Sequence, residues 1–121
     1  MLDELSDRDC KLAVLSNKPH EFAVKCVAHY FGAWNFSPVF GQRDSIPTKP
    51  DPVAVHEIME LLGTTPEKTM YVGDSDVDME TAHRAGVTSA GACWGFRTMD
   101  ELHAAGADYL LEHPSDLLKI L

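Results

Sequence analysis

Short apolar runs alternate with segments of helical period along the whole chain, and this alternation restricts the fold more than any other feature. Runs at Lys11–Ser16, Pro38–Gly41, Thr69–Gly73, Val87–Ala92 and Asp108–Leu111 predict buried strands. Between them, Ala23, Cys26, Val27 and Tyr30 line one helix face that closes at Gly32. Val55, Ile58, Met59 and Leu62 line another, with Asp51 as N-cap, Pro52 at the first position and Gly63 at the end. Asp76–Ala85 predicts a third helix, stopping at Gly86. Thr98–Ala105 predicts a short fourth, and Ser115–Leu121 a terminal one capped by Ser115.

The resulting order is βαβαβαβαβα. Crossover helices joined by short loops require parallel strands with right-handed connections, so the expected fold is a Rossmann-like α/β domain, one parallel sheet with helices on both faces, over residues 1–121. Neither a repeat nor a low-complexity tract divides it.

Charge and composition exclude several roles. A net charge of -9 with scattered basic residues does not suit binding to a phosphate backbone, so no nucleic-acid partner is expected. No apolar run approaches the roughly 18 residues that a membrane span needs. The acidic start MLDELSDRD is unlike a secretory signal and places the chain in the cytoplasm. Cys10, Cys26 and Cys93 are odd in number and widely spaced, which predicts reduced, mostly buried thiols rather than disulfides or a zinc site. The six histidines show no ligand spacing and read as surface or helix-face residues.

In open α/β sheets ligands bind beyond the carboxyl ends of the strands, which directs attention to three polar loops. Ser16 and Asn17 follow the first strand, Lys49 lies in T-K-P-D-P after the second, and G-D-S-D-V-D (Gly73–Asp78) follows the third. Asp74 at a strand end and Asp78 one turn later offer two hard oxygen ligands of the kind magnesium takes, with water and substrate phosphate completing the shell. Aspartates also cap helices, and Asp76 is read that way. Lys49 is either a solvated side chain or a cation presented from a loop stiffened by Pro47, Pro50 and Pro52, able to neutralise phosphoryl charge. The Ser16 hydroxyl either binds a phosphoryl oxygen or is satisfied by its local backbone.

Taken in order, L-A-V-L-S-N-K (Leu12–Lys18), K-P-D-P (Lys49–Pro52), V-G-D-S-D-V-D (Val72–Asp78) with A-x-x-A-G ending at Gly86, W-G-F-R (Trp94–Arg97) and G-A-D-Y-L (Gly106–Leu110) resemble the haloacid dehalogenase (HAD) superfamily, closest to its phosphoglycolate phosphatase-like branch. The first three match that family's second to fourth motifs. The resemblance implies that Ser16 binds the transferring phosphoryl group with Asn17 beside it. It further implies that Lys49 stabilises the charge shared by nucleophile and phosphate, and that Asp74 and Asp78 hold Mg2+ directly or through water.

The family's nucleophile is the first aspartate of a D-x-D-G-T motif, which forms an aspartyl-phosphate, and its second aspartate is the general acid/base. No D-x-D-G-T occurs in this sequence, nor does the helical cap that selects substrate. In the family fold the absent strand lies between those ending at Ser16 and Gly73, so two unpaired edges are expected to face each other. Met1–Asp9 resembles the helix returning from the cap, which makes Met1 look like a start inside a longer frame. The expected activity is that of a Mg2+-dependent phosphatase on a small phosphorylated metabolite, phosphoglycolate first, present as a fragment inactive alone. The alternatives are a pyrophosphatase of the same branch, or a non-catalytic metal- or phosphate-binding module. A homodimer or a complementing N-terminal segment would close the sheet.

Overall fold

A computed structural model of the chain describes residues 1–95 and 97–121, so Phe96 of the W-G-F-R run lies outside the described residues. The chain order is α1 (Leu2–Asp7), β1 (Leu12–Pro19), α2 (His20–Phe31), β2 (Phe36–Gln42), α3 (Val53–Leu62), β3 (Met70–Gly73), α4 (Asp76–Ala85), β4 (Thr88–Ala92), α5 (Met99–Ala104), β5 (Tyr109–Leu111) and α6 (Leu117–Ile120). All the strand pairs are parallel, as the crossover helices require. Single 3-10 turns at Pro66–Lys68 and Pro114–Asp116 lead into β3 and α6.

Among the described residues the strands form two separate sheets, β1–β2 and β3–β4–β5. Val14 pairs with Val39 in the first, and Met70 with Thr88 and Gly73 with Gly91 in the second. β1 and β3 share no ladder, which is the break expected between the strands ending at Ser16 and Gly73. Burial records the same break. β4, flanked on both sides, is buried at Ser89–Ala92, whereas no residue of β1 or β3 is fully buried and Val72 is 41% exposed.

Helices bridge the break on both faces. On one, Val55 and Met59 of α3 pack with Ala82 and Ala85 of α4 and with Val87, and Leu15 of β1 and Tyr71 of β3 both rest on this cluster. On the other, Leu5 of α1, Ala90, Leu111 and Leu117 gather Leu12 of β1 and Met70 of β3. Met70 and Tyr71 face opposite layers because successive strand residues alternate. The apolar stripes therefore hold the half-sheets side by side without a shared strand ladder among the described residues.

Gly63 and Gly86 end α3 and α4 in the left-handed region, with φ of 66° and 74°. Gly32 also follows its helix but stays right-handed, with φ of -63°. Asp51 is not the cap of α3: the helix starts one residue later than expected, with Pro52 at the N-cap position, and Asp51 only accepts the Val53 N–H at 3.0 Å in the turn before it. Ser115 does not cap the terminal helix. The 3-10 turn Pro114–Asp116 comes first, so Asp116 stands at the N-cap position of α6 while its carboxylate turns back to accept the N–H groups of Glu112 and His113 at 3.1 and 3.0 Å. The cysteines are free, as expected, but half-buried rather than buried, Cys10 packing at the margin of the second apolar layer. His20 is part of the fold, its Nδ1 accepting the Gly41 N–H at 3.2 Å. No helix among the described residues is long and apolar enough to cross a membrane.

Candidate functional site

Three strand-end loops meet at one side of the sheet break. β1 continues beyond Ser16 to Pro19, carrying Asn17 on an extended backbone toward the loop after β2. There the Lys49 N–H donates to Asn17 Oδ1 at 3.1 Å, and Asn17 Nδ2 donates to the Lys49 carbonyl at 3.5 Å. Fixed in this way, Lys49 sends its ammonium to the third loop, where Nζ lies 2.7 Å from Asp78 Oδ1. Both side chains are largely withdrawn from water, 13% and 9% exposed.

Asp78 gathers the third loop around itself. Tyr71 of β3 donates its hydroxyl to the same Oδ1 at 3.1 Å, and the Asp74 N–H donates to Oδ2 at 3.1 Å. Its own N–H donates to Ser75 Oγ at 3.2 Å, so Ser75 is the N-cap of α4. Burial alone would raise the Asp78 carboxyl, but hydrogen bonds and charge from Lys49, with help from Ser75 and Tyr71, hold it below its ordinary value. Burial and the charge and hydrogen bond of Asp78, with Asp74 behind them, push the Tyr71 phenol well above its ordinary value.

Asp74 differs from Asp78. It is exposed, and its carboxylate has no hydrogen-bond partner among the described residues. The loop after β4 lies against it. A methyl group on Gly95 would meet Asp74 Cβ at 2.6 Å and Oδ2 at 2.5 Å, so a side chain at that position would collide with the carboxylate. Gly73 is equally tight against the Asp78 side chain.

Ser16 lines a small cavity with Asn17 and Lys49, and its Oγ accepts the Lys18 N–H at 3.1 Å. The oxygen is thus satisfied locally, while its proton remains free to be donated. Asn17, Lys49, Asp78 and the Asp74 backbone form one continuous chain of contacts. Tyr71, Ser75 and Gly95 belong to the site in addition to the residues expected from the sequence. Ser75 immediately before a predicted helix was a readable cap signal; Tyr71 was read only as a strand residue, and nothing local in the sequence reveals what Gly95 touches.

A parallel α/β sheet with its polar residues converging beyond the strand ends defines an α/β protein with a strand-end ligand site. The model of the haloacid dehalogenase-like hydrolases matches residues 1–92, and the chain belongs to that family. It is 37% identical over 125 residues to a phosphoglycolate phosphatase of Aquifex aeolicus, covering 99% of this chain and 55% of the relative. A pyrophosphatase, PpaX, of Oceanobacillus iheyensis is 29% identical, over 99% of this chain and 56% of that protein. The fold superposes with a TM-score of 0.90 on a crystal structure from Lactobacillus delbrueckii subsp. bulgaricus, provisionally assigned as a phosphoglycolate phosphatase. That protein is 32% identical, with 98% of this chain and 49% of that chain covered. The chain spans about half the length of the curated relatives it matches.

Proposed function

We propose that residues 1–121 act as one domain, the phosphate- and metal-binding part of a Mg2+-dependent phosphatase for a small phosphomonoester, with phosphoglycolate the first substrate to test. The observation that carries this reading is the shielded Lys49–Asp78 pair, 2.7 Å apart, beside the exposed Asp74 carboxylate. A lysine locked in place offers fixed positive charge where a phosphoryl group accumulates negative charge, with no reorganisation needed during reaction. In this reading Asn17 sets the Lys49 backbone and lies beside the phosphate, and the Ser16 hydroxyl donates to a phosphoryl oxygen.

The residues present suit magnesium. Asp74 offers an uncommitted hard oxygen, and Asp78 keeps lone-pair capacity for a bridging water beyond its three hydrogen bonds. No group of three or more His, Cys, Asp or Glu gathers among the described residues, and magnesium characteristically uses one or two carboxylates with water and phosphate oxygens. When bound, the ion supplies Lewis-acid polarisation of the phosphoryl group. Asp74 would hold it directly and Asp78 directly or through water.

The attacking aspartate of the family is proposed to come from a segment entering between β1 and β3, from a complementing N-terminal segment or a second copy. The unpaired edges of those strands support this. They equally support the second reading, a non-catalytic metal- or phosphate-binding module that assembles with another chain. A diphosphate fits the same charge arrangement, and the Oceanobacillus relative keeps pyrophosphate among the substrates to test.

The test is phosphate release from phosphoglycolate, pyrophosphate and an aryl phosphate, by the chain alone and with a polypeptide carrying the D-x-D-G-T strand. Expected is Mg2+-dependent release only in the mixture, abolished by Asp74→Ala. Turnover by the chain alone would show that the nucleophile is misassigned, and no release in any mixture would favour the non-catalytic module.

A further inference from the structure

We infer that Arg97 is a specificity residue that binds a second anionic group on the substrate, at the rim beyond the phosphoryl site. The inference rests on the phosphatase reading above and names the class of ester it takes, one whose alcohol portion carries a carboxylate or another phosphoryl group.

Two contacts place the loop that carries Arg97 over the third strand-end loop. Gly95 lies against the Asp74 side chain, and Arg97 Nε stands 3.7 Å from Asp76 Oδ1, on the first residue of α4. The loop is tied down at both ends. The Cys93 N–H donates to the Leu111 carbonyl at 2.8 Å, and Thr98 Oγ1 accepts the Glu101 N–H at 3.2 Å as the cap of α5. Arg97 itself stands beside the start of α4, two residues on from the Gly95 contact with Asp74.

Its charge is only loosely committed. Lys49 is already committed to Asp78 within hydrogen-bond distance, whereas the Arg97 contacts to Asp76 and Glu101, at 3.7 and 3.6 Å, are longer than a hydrogen bond. All three side chains are well exposed, at 45%, 63% and 55%, and exposed pairs of this kind contribute little. A carboxylate or phosphate offering two parallel acceptors makes the better partner for the guanidinium fork. Asp76 and Glu101 then serve to hold the unliganded side chain over the site rather than to neutralise it permanently.

Calorimetric titration of the 121-residue chain in Mg2+ with phosphoglycolate and with ethyl phosphate, similar in size but with an uncharged tail, tests this. Wild type is expected to favour phosphoglycolate by about tenfold, the worth of a charge-assisted contact. In Arg97→Met the ratio falls to near one with the loss on phosphoglycolate, and Arg97→Lys retains part of it. An unchanged ratio, or equal weakening of both ligands, overturns the role of Arg97 while leaving the phosphate site standing. Failure of wild type to bind either ester removes the phosphatase reading and this inference with it.

Discussion

Asn17 and Lys49 are joined twice, by the Lys49 N–H to Asn17 Oδ1 at 3.1 Å and by Asn17 Nδ2 to the Lys49 carbonyl at 3.5 Å. One side-chain amide thus matches both polar groups of a residue 32 positions away, fastening the second loop to the end of β1. Asn17→Ala should cost about 1 kcal/mol in a urea titration, since the site is exposed and water replaces part of the loss. Its larger effect should be on inorganic phosphate affinity, because the Lys49 backbone is no longer set. Unchanged phosphate binding in a less stable variant would mean that the clamp serves the fold only.

Removing Lys49 leaves Asp78 buried without its cation. Lys49→Met is expected to destabilise by about 3 kcal/mol, the scale for breaking a shielded pair from one side. The double variant Lys49→Met/Asp78→Asn should recover part of that loss. Additive losses in the double-mutant cycle would show that the two side chains are not coupled.

Gly95→Ala should weaken Mg2+ binding with little change in melting temperature. The added methyl would meet Asp74 Cβ at 2.6 Å, on an exposed loop where the backbone can yield but the carboxylate is displaced. Magnesium titration followed by NMR shifts of the Asp74 and Ser75 amides reads this directly, and wild-type affinity in the variant would remove Gly95 from the site.

Arg43 grips Glu57 with two hydrogen bonds, at 3.2 and 2.8 Å, and lies 3.7 Å above the Phe40 ring. The hydrogen bonds hold the Glu57 carboxyl below its ordinary value against a smaller opposing push from burial. A depressed folded value means that this stabilisation is complete above the unfolded value of 4.5 and is lost as pH falls through the folded one. Glu57→Gln should therefore be less stable than wild type at pH 7, with the gap narrowing by pH 3. A gap independent of pH would show that packing alone, not the ion pair, is at work.

Hydrogen exchange should separate the strands. Amides of β4, paired on both sides, should exchange much more slowly than the average over β1 and β3, whose facing edges have no ladder between them. Equal protection across β1, β3 and β4 would mean that the break is closed in solution, by self-association if light scattering shows a dimer.

Much of this arrangement was legible in the residues because local signals agreed. Asp76–Ala85 could be bounded from its aspartate start and Gly86, and the helix has those bounds, although its cap is Ser75 and Asp76 is the first helical residue. The strand runs were recognised but their ends were not, since ladder pairing carries β1 on through Asn17 and Lys18 to Pro19, residues that look like a loop. Ser115 is not the terminal cap because a 3-10 turn, Pro114–Asp116, takes up that residue, and only the folded turn brings the Asp116 carboxylate back to the Glu112 and His113 N–H groups. In the site, Lys49, Asp74 and Asp78 were visible as polar residues at strand ends. That Asp78 would turn inward to Lys49 and Tyr71 while Asp74 stayed open depends on packing between α3, α4 and β3, which no local pattern records.

The most direct measurement is calorimetric titration of inorganic phosphate into the chain with and without Mg2+, beside Asp74→Ala, a substitution at an exposed side chain that leaves the Lys49–Asp78 pair in place. Expected is phosphate binding that strengthens with Mg2+ in the wild type and loses that strengthening in the variant. Equal phosphate binding by both proteins, indifferent to Mg2+, would contradict a metal-assisted phosphate site at these loops.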